Sequence, residues 1–157
     1  MPTPTYDLIT SVTLASTSSE VVFSSIPQGY RDLVFVYNGT VSGGAFARMR
    51  FNSDGGFNYG NIQMYGSGSA VSSSMPGNGD NIEIAEFQPT HNLVISQIMD
   101  YSATDKHKTV LGRSNNASSN VQGKAGRWAN TAAITSIQIL ASNMLSGSTL
   151  SLYGVIA

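Results

Sequence analysis

Leu33-Val34-Phe35-Val36-Tyr37 is apolar at every position, and its reading decides the fold. Successive side chains of a strand point to opposite faces. A run apolar on both faces is a central strand covered twice, inside a sandwich or at a subunit contact. Next outward, residues 45–51 alternate, with Ala47, Met49 and Phe51 on one side and Phe46, Arg48 and Arg50 on the other. Upstream, residues 20–26 carry Val21 and Phe23 on one face and Val22 and Ile26 on the other. Residues 6–14 place Leu8, Val12 and Leu14 together. Downstream, stretches 82–87, 93–101, 108–114, 134–141 and 148–156 repeat the theme. Ile137 and Ile139 point inward, and Leu150, Leu152 and Ile156 share a face. Helical periodicity is absent.

Turn residues separate these runs. Pro27-Gln28-Gly29 and Ala103-Thr104-Asp105-Lys106 read as turns, and Asn38-Gly39 as a two-residue hairpin, since both positions tolerate positive φ. Residues 52–61 and 66–80 read as long Gly/Ser/Asn loops around one short strand, Ile62-Gln63-Met64-Tyr65, and 115–126 as a polar loop. The expected fold is an all-β, antiparallel, jelly-roll-like β-sandwich of eight to ten short strands. It is expected to be one domain over 1–157, with 1–5 as an extended N-terminal arm stiffened by Pro2 and Pro4.

Charged residues make up 11% of the chain, against ~25% in an ordinary soluble domain. Hydrophobic residues reach 41%, so the chain is not a disordered one. Ser, Thr, Asn and Gly replace the missing charge, and such a surface packs against neighbours without desolvating many ions. Net charge is −1 and no lysine or arginine cluster occurs, so no nucleic-acid partner is expected. No apolar stretch approaches the ~20 residues of a membrane helix, and no membrane partner is expected. Met1-Pro2-Thr3-Pro4-Thr5 lacks a basic region followed by an apolar run, so manufacture and use without Sec export are expected. With no cysteine, neither disulfides nor thiolate metal sites contribute.

The catalytic inventory is thin. His91 and His107 stand beside strand ends and read as solvated turn residues, and no Gly-x-Ser-x-Gly elbow accompanies the many serines. Asp105 near His107 falls short of a zinc ligand set. Asn52-Ser53-Asp54-Gly55 and Asn78-Gly79-Asp80-Asn81 offer oxygens of the kind calcium prefers, without the later glutamate of an EF-hand loop. Glu83 and Glu86, three apart on a strand, are expected on opposite faces, which spoils a glycosidase pair. No catalytic residue, metal site or cofactor is expected, and the chain reads as a non-enzyme. Two surface readings remain. Tyr59, Tyr65 and Trp128 near polar loops could stack on sugar rings, or fill the core. Phe46, Arg48 and Arg50 on one strand face, with Pro2 and Pro4 of the arm, are candidate inter-subunit contacts, or a solvated sheet face.

Several phrases carry a family resemblance. They are Tyr6-Asp7-Leu8-Ile9 with Val12-Thr13-Leu14, then Val22-Phe23-Ser24-Ser25-Ile26-Pro27-Gln28-Gly29-Tyr30-Arg31-Asp32-Leu33-Val34. Arg50-Phe51-Asn52-Ser53-Asp54 and Asn58-Tyr59 follow, with Trp128-Ala129-Asn130-Thr131 and Ala133-Ile134-Thr135-Ser136-Ile137 later. Gly147-Ser148-Thr149-Leu150-Ser151-Leu152-Tyr153-Gly154 closes the set. Together they resemble tailed-phage virion structural proteins of the kind common in cyanophages. The resemblance implies a jelly-roll-like domain located in the virion, with no catalytic residues to transfer. It implies a capsid cement or decoration protein or, alternatively, a tail-fibre or tail-tip module that recognises host glycan. A homo-oligomer, with a trimer favoured, and the major capsid protein or another virion protein are the expected partners.

Overall fold

The computed structural model describes residues 4–74, 79–118 and 120–156. They form twelve strands and no helix. In chain order these are β1 (Tyr6–Thr13), β2 (Ser18–Phe23), β3 (Asp32–Thr40), β4 (Ala45–Phe51), β5 (Tyr59–Gly66) and β6 (Val71–Ser74). Then come β7 (Ile82–Phe87), β8 (His91–Met99), β9 (Lys108–Asn116), β10 (Val121–Trp128), β11 (Ile137–Met144) and β12 (Thr149–Val155). An eight-stranded sheet runs β1-β12-β3-β8-β9-β10-β5-β6, and a four-stranded sheet β2-β11-β4-β7 lies against it. Neighbouring strands pair antiparallel throughout. The two ends of the chain pair in the large sheet, β1 with β12, and the next strands inward pair in the small one, β2 with β11. That alternation winds the chain as a jelly-roll-like antiparallel β-sandwich.

The decisive pentapeptide lies in β3, between β12 and β8. Leu33, Phe35 and Tyr37 point inward and are buried against residues such as Phe51, Phe87 and Ile139 of the small sheet. Val34 and Val36 point outward and are half-buried. Burying a side chain of this size contributes ~1.5–3 kcal/mol, which is why the inward rows fix the register.

Strand count and several local expectations need correction. Twelve strands replace eight to ten, because three stretches that read as loop are paired. The supposed 115–126 loop is the end of β9 and most of β10, and the 66–80 loop contains β6. The short strand at 62–65 extends from Tyr59 to Gly66. Asn38-Gly39 is no hairpin but the interior of β3. Gly39 is there because a Cβ would sit 2.3 Å from the Ser148 hydroxyl. In β1 the register slips between Leu8 and Thr10, so Leu8 turns outward while Ile9 and Val12 pack on the core. Ser25, at φ 54°, turns the chain after β2, and Ile26 joins Val21 and Phe23 in the core instead of siding with Val22.

The free edge of β7 is closed by side chains of the other sheet. Its backbone N–H groups at Glu83 and Glu86 donate to Asn61 Oδ1 (2.9 Å) and Gln122 Oε1 (3.0 Å). Just beyond, Gln88 N–H donates to Asn92 Oδ1 at 3.1 Å. An open strand edge is a template for unwanted pairing, and these amides occupy it. They also explain why Asn61, Asn92 and Gln122 are buried in a sandwich core.

Candidate functional site

The aromatics offered for sugar stacking part company. Tyr59 and Trp128 are fully buried, which corrects the glycan-contact reading for both. They end β5 and β10 on the inward row, paired across the ladder, with ring centroids 6.2 Å apart and planes inclined by 18°. The loop that follows β4 folds over them. Asp54 accepts from Trp128 Nε1 (2.8 Å), Asn58 Nδ2 (2.9 Å) and Gly56 N–H (2.9 Å), and those bonds hold its carboxyl at about 2. Tyr59 donates to the Asp54 carbonyl at 3.0 Å, and burial pushes its phenol up to about 12. Polar sequence around an aromatic therefore marks a capped core here, not a stacking platform. Tyr65 alone of the three is half-exposed.

The proposed inter-subunit contacts also divide. Pro2 lies outside the described residues, and Pro4 is exposed. Phe46 and Arg48 are exposed on β4, on the outer side of the small sheet. Arg50 is committed within the chain: its Nη2 lies 2.5 Å from Asp80 Oδ2 and its Nε donates to the Asp80 carbonyl at 3.0 Å. The Asx-rich turns hold no spare carboxylate. Asp54 is bonded as above, and Asp80 meets Arg50 and Asn81 Nδ2. Among the described residues, no three His, Asp or Glu side chains converge as a metal site.

Glu83 and Glu86 do not face opposite sides. The β4–β7 register slips between Ala47 and Arg48, so Ile84 and Ala85 both turn inward and both glutamates point the same way. Lys124 meets the first of them, its side chain 3% exposed, with Nζ 2.8 Å from Gln63 Oε1 and 3.6 Å from Glu83 Oε2. The Phe46 ring lies 5.2 Å from the same Nζ. Burial lowers the Lys124 pKa, and the two glutamates oppose that shift. The carboxylates are thus tied to a cation and serve to compensate it. Lys108, fully buried, donates in a similar structural way to the carbonyls of Lys106 (2.9 Å) and Thr131 (3.1 Å).

The feature that sequence reading missed is the outer face of the eight-stranded sheet. Leu8 pairs with Tyr153 and Tyr153 with Val34. On the other half of the sheet Leu111 pairs with Ala125 and Ala125 with Ile62, and Gln97 bridges the two halves. Every exposed large hydrophobic among the described residues except Val22, Phe46 and Phe57 belongs to this face, up to Val71 at 89% exposure. Side chains project around open hollows. One of about 600 Å³ lies among Met64, Val71 and Val121 above Gly66 and Gly123. A second of about 390 Å³ runs between Tyr6, Val34 and Leu111, and a third of about 450 Å³ between Leu93, Ile95 and Val121. Gln97, Arg113 and Arg127 stand among these apolar side chains, and the gathering of exposed hydrophobic residues on one sheet face makes it the candidate interaction site.

No protein-family model matches the sequence. No curated protein matches it either. Among solved structures it is similar to the Caenorhabditis elegans galectin LEC-6, at 8% identity over 94% of this chain and 96% of that one, with a TM-score of 0.42. CG-16, a homodimeric agglutinin from chicken liver, is 10% identical over 84% of this chain and 99% of its own, with a TM-score of 0.36. A PL-14 alginate lyase from Aplysia kurodai is 8% identical over 84% and 72%, with a TM-score of 0.33. Likenesses this distant carry nothing about ligand or activity. The fold assignment rests on the two sheets themselves.

Proposed function

We propose that the chain is a structural component of a phage virion, a capsid cement or decoration protein, acting by burying protein surface and not by catalysis. The apolar outer face of the large sheet carries this reading, joined to the strand-and-turn phrases that resemble virion proteins. Covering that face joins each copy to a neighbour and removes side chains such as Leu111 and Met64 from water, and many such joined units on one particle act together. The low charge serves the same end, since few ions are stripped of solvent at the contacts. The glycan-recognising tail module is the less supported reading, because Tyr59 and Trp128 fill the core.

Calibrated mass spectrometry of purified particles tests the proposal. Copies in the hundreds per virion are expected of a cement protein, whose stabilisation is a sum over many weak contacts. A handful of copies, or none, would contradict it.

A further inference from the structure

We infer that the occupant of the apolar sheet face is a second copy of this chain, packed face to face across a two-fold axis. The inference rests on the proposed assembly role and names its immediate partner. The building unit would be a stack of four sheets with the two large ones in the middle.

Extent is the first argument. Eight strands spaced ~4.8 Å apart, each ~7 residues long at ~3.3 Å per residue, make a face of roughly 750 Å². A stable interface takes ~800 Å² from each partner. A docked peptide or an added strand covers only a ribbon of such a surface. A partner of equal breadth is needed, and this chain owns one.

Shape is the second. An isologous contact requires one surface to carry both projections and hollows. Leu111 and Val71 project, and hollows of about 390 to 600 Å³ open beside them. Paired sheets of a sandwich interdigitate in this way at ~10 Å, near-aligned. A ring of three would need two different patches per copy, whereas the exposed apolar side chains concentrate on one.

Charge is the third. The chain carries a net charge of −1, so two copies approach with little repulsion. Asp32, the carboxylate on the outward row of β3, is 5% exposed and already accepts from Gln97 Nε2 (3.0 Å) and Asp100 N–H (2.9 Å). The face carries two guanidinium groups, Arg113 in its middle and Arg127 on the same outward row of β10, and a guanidinium is the cation that protein interfaces favour.

Sedimentation equilibrium of the purified full chain decides the matter. Twice the chain mass is expected, with dissociation at least ~10-fold easier for Leu111→Glu and for Met64→Glu, because each buries a carboxylate at the contact. Val22→Glu, equally exposed but on the small sheet, should leave the pair intact. Circular dichroism establishes that each variant stays folded. A monomer at every concentration, a trimer, or a dimer indifferent to both face variants would overturn the pairing. A monomer present in hundreds of copies on the particle would sink the pairing alone and leave the assembly role. A face-to-face dimer missing from particles would do the reverse.

Discussion

Trp128→Ala lowers the unfolding free energy by about 3–5 kcal/mol, the range for emptying a buried large aromatic site. The indole is fully buried, lies 5.5 Å from the Phe51 ring and 6.2 Å from Tyr59, and donates to Asp54. Its loss leaves a cavity and removes one of the donors that hold the Asp54 carboxylate. With total stabilities of ~5–15 kcal/mol for single domains, this one change approaches global unfolding. Equilibrium unfolding in urea reads it directly. Trp128→Phe should cost less, since the ring contacts persist in part and only the donor goes. A sugar-stacking tryptophan behaves in the opposite way, losing ligand while stability stays put. A loss below about 1 kcal/mol for the alanine variant would mean the aromatic cap is not a core element.

Lys124→Ala costs about 3 kcal/mol, the low end for breaking a buried pair by deleting one partner. The low end applies because the Glu83 side chain is 19% exposed and recovers some hydration. What remains is Glu83 beside Glu86 and a Gln63 carbonyl oxygen without its ammonium. The double variant Lys124→Met with Glu83→Gln should fall within about 1 kcal/mol of the parent, since volume is kept, the carboxylate paired with the ammonium is neutralised with it, and only the half-buried Glu86 keeps its charge. Denaturant midpoints of the Lys124→Met and Glu83→Gln single variants, beside that of the double variant, give the coupling. If Lys124→Met alone and the double variant cost the same, the cluster contributes packing and not charge compensation.

These two sites show where sequence reading succeeds and where it stops. The central strand and the alternation of β4 were legible, because one inward row of aliphatic residues dominates each. β10 was not, since its inward row is Gln122, Lys124, Gly126 and Trp128. Those polar residues face inward to serve partners on β7, a strand distant in sequence, so no local pattern announces them. Bulges hide in the same way. An inserted residue in β7 aligns Glu83 with Glu86, and the slip in β1 turns Leu8 outward, though simple alternation says otherwise in both. The apolar outer face was visible only as the double-sided apolar run at Leu33–Tyr37. Ile62, Met64, Leu111 and Val121 look like scattered residues in polar sequence until the order β8-β9-β10-β5 sets them side by side.

Two methionines report on the proposed burial of that face in the assembled state. Met64 and Met99 are exposed on the outer face of the isolated chain, whereas Met49 and Met144 are buried in the core. Peroxide oxidation, read by peptide mass spectrometry, should be slow at all four in intact assemblies. After release and dilution to monomer it should become fast at Met64 and Met99 only. Equal, rapid oxidation of Met64 and Met99 in both states would show the face open to water in the assembly and contradict the account.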